Sequence, residues 1–364
     1  MANSTAKKAP IVRLPPKSNV EIFLAQAAQV SVIVIGIIAL VFALAAGEYI
    51  LAPISLGIVI GLMLGPIAAR LERQGLSPGI SATVVVLIFI FIVCLFALAL
   101  AAPLSFWIGR LPQIWSDLQG QLARLKEPLE ALGGIREQLR NLTGDEGLAV
   151  SVNEGMGFES LARLAPAVIA QILIFFASLY FFVATRHQTR VAILNLCFKR
   201  RLRWRVAHIF RDVEGLVSRY LLSIGIINIA EGFAVGVGLF LIGIPSAPLW
   251  GALAALSNFV PFIGPAVMVV ILFAIGLTEF DTFTGSLLPV AVFLAINLIE
   301  GQFVTPMVIG RTMTLNPLVV LLALVFWIWL WGPLGGFIAI PALLVTYAII
   351  RNVVPGLNWG DDTG

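Results

Sequence analysis

Between Ile80 and Leu104 no residue is charged, and long runs of this kind recur along the chain. In a bilayer core every backbone N–H and C=O must find a partner inside the protein, so such a run is either a helix or a strand of a closed barrel. Barrel strands alternate polar and apolar residues. Here Val, Ile, Leu and Phe fill successive positions, so the run is helical. The chain is therefore predicted to be an all-α polytopic membrane protein. Its 364 residues are 60% hydrophobic and 12% charged, with a mean hydropathy of +1.02; a soluble domain carries roughly twice that charged fraction.

Charge then sets the topology. Residues 1–20 carry Lys7, Lys8, Arg13 and Lys17 and read as a cytoplasmic tail. Three transmembrane helices are predicted over 21–104. Residues 105–160 hold 5 basic and 8 acidic side chains, which suits an extracytoplasmic location. Trp107, Leu111, Ile114, Leu118, Leu122 and Leu125 recur there at steps of three and four, the stripe of an amphipathic helical arm. Pro112 and Pro128, with Gly133-Gly134, are expected to break that arm into two or three helices. The arm either packs on neighbouring subunits or caps its own. A further transmembrane helix covers 161–184. Residues 185–214, with Arg186, Arg190, Lys199, Arg200, Arg201, Arg203, Arg205 and Arg211, form a basic cytoplasmic segment. The net charge of +4 concentrates here and in the first tail, so topology accounts for it and no nucleic-acid partner is implied.

The second half contains an internal repeat. Asn228-Ile229-Ala230-Glu231-Gly232 returns as Asn297-Leu298-Ile299-Glu300-Gly301, 69 residues on, and Pro248-Leu249 returns as Pro317-Leu318 at the same offset. Each copy, 215–277 and 286–351, is a helix followed by an apolar segment broken by proline and glycine. The breaks are Pro261, Gly264 and Pro265 in the first, and Gly332, Pro333 and Gly335 in the second. The last segment is far longer than the roughly 20 residues that cross a bilayer once. If both broken segments cross fully, the acidic loop with Glu279 and Asp281 is cytoplasmic and Arg311 is external. If both double back, Arg311 and Arg351 are cytoplasmic, as the positive-inside rule requires. The preferred architecture is about six full transmembrane helices plus two re-entrant hairpins in an inverted repeat, with a cytoplasmic tail at 352–364. Eight full spans is the alternative.

Glu231 and Glu300 each sit within an apolar helix, where an ionised acid costs on the order of 2.5–3.5 kcal/mol or more. A proton or a bound cation removes that cost. Asn228, Asn297 and Asn258 add neutral amide oxygens and N–H donors suited to a cation or a hydroxylated solute. Interrupted apolar segments at matching places in a repeat point to a transporter's substrate site. Asn228, Glu231, Asn258, Asn297 and Glu300 are thus the candidate substrate or ion ligands, lined by the six break residues. The structural alternative is that the acids merely tie helices together. Nothing suggests an enzyme: there is no Gly-x-Ser-x-Gly elbow, Walker A loop or His-Glu-x-x-His. His187, His208, Cys94 and Cys197 offer no metal spacing, and no cofactor is expected beyond Na⁺ or H⁺ as a coupling ion. A secondary transporter and a non-coupled pore or oligomeric scaffold are the two classes left, and two matched buried acids favour the first.

Several blocks also resemble the AI-2E family of bacterial membrane proteins. They are Ser178-Leu179-Tyr180-Phe181-Phe182, Asn258-Phe259-Val260-Pro261-Phe262-Ile263-Gly264-Pro265, Asn297-Leu298-Ile299-Glu300-Gly301 with Pro306 and Gly310, Leu315-Asn316-Pro317-Leu318, and Gly332-Pro333-Leu334-Gly335-Gly336 before Ala339-Ile340-Pro341. Phe262 stands where the family usually has Tyr. The resemblance implies a multi-pass protein of the bacterial inner membrane, exporting a small polar solute such as a quorum-sensing autoinducer, with N- and C-termini cytoplasmic. It also implies a homo-oligomer, a pentamer, and, for some members, Na⁺(Li⁺)/H⁺ antiport.

Overall fold

The computed structural model describes residues 19–130, 158–280, 282–309 and 316–353, and every regular element among them is helical. Helix α1 (Asn19–Ala46) belongs to a unit of its own, and its apolar side chains are exposed all round. The second unit begins at Tyr49. It comprises most of α2 (Glu48–Arg73), α3 (Pro78–Glu130), α4 (Phe158–Leu196), α5 (Arg200–Leu241), α6 (Ala247–Ser257), α7 (Ile263–Glu279), the single turn α8 (Phe283–Ser286), α9 (Leu288–Ile299), α10 (Thr305–Ile309) and α11 (Pro317–Val353). Among the described residues seven helices are long and apolar enough to cross a membrane. The chain is an all-α polytopic membrane protein.

One expectation is corrected. Pro112 and Pro128 do not break the arm: α3 runs on through both to Glu130. Each proline removes one helical donor, and beyond the apolar span water can serve the freed carbonyl. The remainder of the arm, 131–157, lies outside the described residues, as do 1–18, Asp281, Arg311 and 354–364. A loop, the usual reading of so basic a segment, is not what forms at 185–214. The segment is helical from both sides, with Cys197–Lys199 the short connection between α4 and α5. Lys and Arg are good helix formers, so a charge run does not by itself end a helix. Arg186 closes α4 against α2, donating to the Gly65 carbonyl at 2.6 Å and to Glu72 at 2.8 Å.

In each broken segment the entering and leaving limbs pack against one neighbouring helix. In the first, α6 has 11 residues and α7 has 17, about 17 and 26 Å at 1.5 Å per residue, so neither limb spans a core of about 30 Å alone. Both outer ends lie beside one stretch of α3. Trp250, near the start of α6, meets Trp107 edge to face at 5.1 Å, and Glu279, at the end of α7, pairs with Arg110 at 3.0 Å. The second segment is the 37-residue α11, whose helical path is interrupted at Trp331 and Gly332. Val320, early in it, and Leu344 and Val345, late in it, share one cluster with Val217 and Leu221 of α5. Asn352 donates to Asp212 at 3.0 Å, also on α5. The first segment thus opens at the Leu241 end of α5, and the second at its Arg200 end.

The two turning points meet. Phe259 stacks on Phe337 at 5.7 Å and 24°, and the Val260 side chain fills the space where a Gly336 Cβ would stand. Their glycines do the same job. A Cβ on Gly264 would lie 1.8 Å from the Ser257 carbonyl oxygen, and one on Gly335 would lie 1.8 Å from that of Trp327. The returning limb therefore starts directly against the last carbonyls of the entering limb, an approach only glycine permits.

Candidate functional site

Helix α5 presents Asn228 and Glu231 one turn apart on a single face, and both are buried, at 1% and 3% exposure. Helix α6 crosses α5 at contact distance because both surfaces are glycine there. A Cβ on Gly251 would stand 2.3 Å from the Gly232 carbonyl, and one on Gly232 2.5 Å from that of Gly251. This close crossing delivers Asn258, just past the last residue of α6, to the acid. Its Nδ2 donates to Asn228 Oδ1 at 3.1 Å and to Glu231 Oε2. From the second repeat, Asn297 on α9 donates its Nδ2 to Glu231 Oε1 at 3.0 Å. One carboxylate thus collects amides from both copies of the repeat, next to the place where the two turning points touch.

The two Asn/Glu pairs are not equivalent. The repeat leads one to expect each pair to form its own point, with Glu300 in the more polar company. In the structure Asn297 turns away from its own glutamate and serves Glu231, which holds the larger polar shell. Glu300, half-buried and within electrostatic reach of Glu231, accepts instead from the Thr305 hydroxyl. Of the predicted break residues, Gly264 and Gly335 make the close contacts between limbs, and Pro261, Pro265, Gly332 and Pro333 stand in or beside the same turns. Phe262 is strained at the first turn, with φ 64°, while the φ of 57° at the second falls on Gly332, which allows it.

Glu300 opens a wide turn of π-helix, Glu300–Val304, which the sequence reading missed although its cause is visible in the sequence. Pro306 has no N–H, and its ring excludes the ordinary bond to the carbonyl four residues back. The Thr305 N–H reaches back five residues to the Glu300 carbonyl. The Gly301 carbonyl therefore loses both its α partner, taken by Glu300, and its π partner, which is proline. A Cβ on Gly301 would meet nothing within 4 Å. The Glu300 carboxylate and the Thr305 hydroxyl are in contact, and the Gly301 carbonyl one residue on is left without a helical partner. Pro306→Ala should restore an α-turn, raise thermal stability, and pull Thr305 off Glu300, reducing whatever flux depends on that acid. Thermal unfolding and vesicle flux measured on one preparation check this.

Chemically the Glu231 shell is adaptable. An amide can present either oxygen or nitrogen by rotation, so Asn258 and Asn297 can donate to a carboxylate or accept from a carboxylic acid. Asn228 Nδ2 is buried without a partner among the described residues, a donor left for the oxygen of a solute or water. A cavity of 430 Å³ on the far side of the Gly232–Gly251 crossing, walled by Phe96, Phe233, Gly236, Ala252 and other apolar residues, offers no polar side chain with which to hold such a solute.

The sequence model of the AI-2E family transporter matches residues 31–355. The chain is 26% identical to the AI-2 transport protein TqsA of Escherichia coli (strain K12) over 318 residues, covering 84% of this chain and 87% of that one. It is 27% identical to YhhT of the same organism over 296 residues, covering 80% and 81%. To MT0215 of Mycobacterium tuberculosis (strain CDC 1551 / Oshkosh) it is 25% identical over 341 residues, covering 91% and 89%.

Proposed function

Because the chain belongs to the AI-2E transporter family, we propose that it exports a small polar solute such as a quorum-sensing autoinducer, with the Glu231 cluster as the solute site. The observation that carries this is the convergence of Asn258 and Asn297 on one buried carboxylate, with Asn228 accepting from Asn258 beside it. A scaffold has no need of an expensive acid at the junction of two broken segments. The two segments enter the bilayer from opposite faces as re-entrant hairpins of an inverted repeat, and solute access alternates about their touching tips. Asn228 Nδ2 and the rotatable amides bind hydroxyl or carbonyl oxygens, while proton or cation occupancy of the acids couples export to an ion gradient. The protein works in the bacterial inner membrane as a homo-oligomer with both termini cytoplasmic.

A second reading, Na⁺(Li⁺)/H⁺ antiport, is favoured by the oxygens of Glu300, Thr305 and Gly301. Carbonyls released by an irregular turn, together with a carboxylate, are the ligands that coupling cations use inside transporters. Purified protein in vesicles separates the readings. Under the first, vesicles preloaded with autoinducer-2 lose it faster than protein-free vesicles and respond to an imposed pH gradient. Under the second, Na⁺ or Li⁺ pulses, but not K⁺, move an internal pH dye with no solute present. Neither response would leave a non-coupled pore or a scaffold.

A further inference from the structure

From Arg186 to Arg211 the chain carries eight Lys or Arg residues and no acid. The connection between α4 and α5 lies at the centre of this stretch, and its surface combines charge with uncovered apolar side chains. Phe198 is 99% exposed, Leu196 72%, Trp204 66% and Leu202 50%. Between them stand Lys199, Arg200, Arg201, Arg203 and Arg205, all exposed. None of these five has an ion-pair partner among the described residues; Arg203 donates to Asn195 at 2.8 Å. The elbow is nevertheless ordered. Trp204 stacks on His208 at 3.8 Å, His208 Nδ1 lies 2.9 Å from the Trp204 carbonyl, and Cys197 Sγ contacts the Ile193 carbonyl. Topology needs positive charge here but not a ring of aromatic and aliphatic side chains facing water. Positive-inside placement explains the arginines and leaves Phe198 and Trp204 unexplained.

We propose that this elbow docks on the anionic phospholipid headgroups of the leaflet its own helices leave. Arg and Lys would bind phosphate, and Phe198, Leu202 and Trp204 would enter the interfacial layer where aromatic side chains settle. Clusters of four to eight basic residues immediately beside a transmembrane helix bind acidic lipid in this manner. The nearest extended anionic surface to a chain held in a bilayer is that bilayer. Docking requires α4 and α5 to run inclined. Val213, where α5 joins the packed cluster, is roughly 20 Å along the helix axis from Arg200, and a strong tilt within the range of up to about 40° brings long arginine side chains to the headgroups. This docking is independent of what the Glu231 cluster transports.

Cys197 supplies the probe. In a Cys94→Ser background it is labelled with an environment-sensitive fluorophore, and the full chain is placed in nanodiscs of phosphatidylcholine with or without phosphatidylglycerol. The expected result is a blue shift that appears only with phosphatidylglycerol and is reversed by high salt. The shift should be lost when Arg200, Arg201, Arg203 and Arg205 are all changed to Gln, and weakened by Trp204→Ser and Phe198→Ser. In native mass spectrometry the unlabelled wild type should retain more phosphatidylglycerol than the four-Gln variant. Identical emission in both disc types, or a shift insensitive to salt and to the four substitutions, would overturn the proposal. A shift evoked by added polyglutamate but not by phosphatidylglycerol would also overturn it, assigning the elbow to an acidic protein.

Discussion

Glu231→Gln should bring solute efflux from preloaded vesicles down to the level of protein-free vesicles while leaving yield and elution volume unchanged. Glutamine keeps the shape of the side chain but cannot change charge. Rotation of the Asn258 or Asn297 amide lets it accept where it now donates, so the cluster can re-form around a neutral centre. Glu231→Ala is the harsher change. It leaves the half-buried Asn297 amide without its acceptor, at about 1–3 kcal/mol, and Asn258 with Asn228 alone, and should lower the unfolding temperature as well as stop flux. Glu300→Gln should reduce flux less completely than Glu231→Gln, because Glu300 holds only Thr305 and not both repeats. Wild-type efflux in Glu231→Gln, with unchanged dependence on the pH gradient, would reduce the cluster to a structural tie.

The largest loss of folded protein should come from Gly264→Ala and Gly335→Ala. In each, the new methyl carbon would stand 1.8 Å from a main-chain carbonyl oxygen, and no side-chain rotation relieves a clash with backbone. The entering and returning limbs must separate, which costs more than the roughly 1–3 kcal/mol of ordinary overpacking and pulls the Phe259–Phe337 stack apart. Gly215→Ala is the control: a Cβ there meets nothing within 4 Å, and the change should be neutral or stabilising by up to about 1 kcal/mol. Yield of monodisperse protein and thermal unfolding in mild detergent read all three. Near-normal unfolding of Gly264→Ala would mean the first turn can open without consequence.

Much of this architecture is legible in the sequence because a bilayer leaves few choices. Long apolar runs must be helices, and the duplicated Asn-x-x-Glu contains three of the residues that meet in the structure, Asn228, Glu231 and Asn297. The assignment of Glu231 as the hub was not legible. It depends on the Gly232–Gly251 crossing, which sets which glutamate Asn258 can reach, and pair spacing along one helix carries no information about that distance. The neighbours of Glu300 in the chain, Gln302 and Thr305, made it look the more polar site; Gln302 is exposed and takes no part. Proline was misread in both directions. Pro112 and Pro128 were given more power to break a helix than they have outside an apolar span, whereas Pro306, within one, opens the π-turn beside Glu300.

The uninterrupted course of α3 carries a mechanical consequence. At 53 residues it is a rod of roughly 80 Å, more than twice the thickness of the hydrocarbon layer. Near its middle it grips the mouth of the first broken segment, through Arg110 on Glu279 and Trp107 against Trp250. A continuous helix resists bending, so it behaves as a lever pivoted at that grip. A force on the arm end of α3 would therefore reach α6 and α7 through this grip.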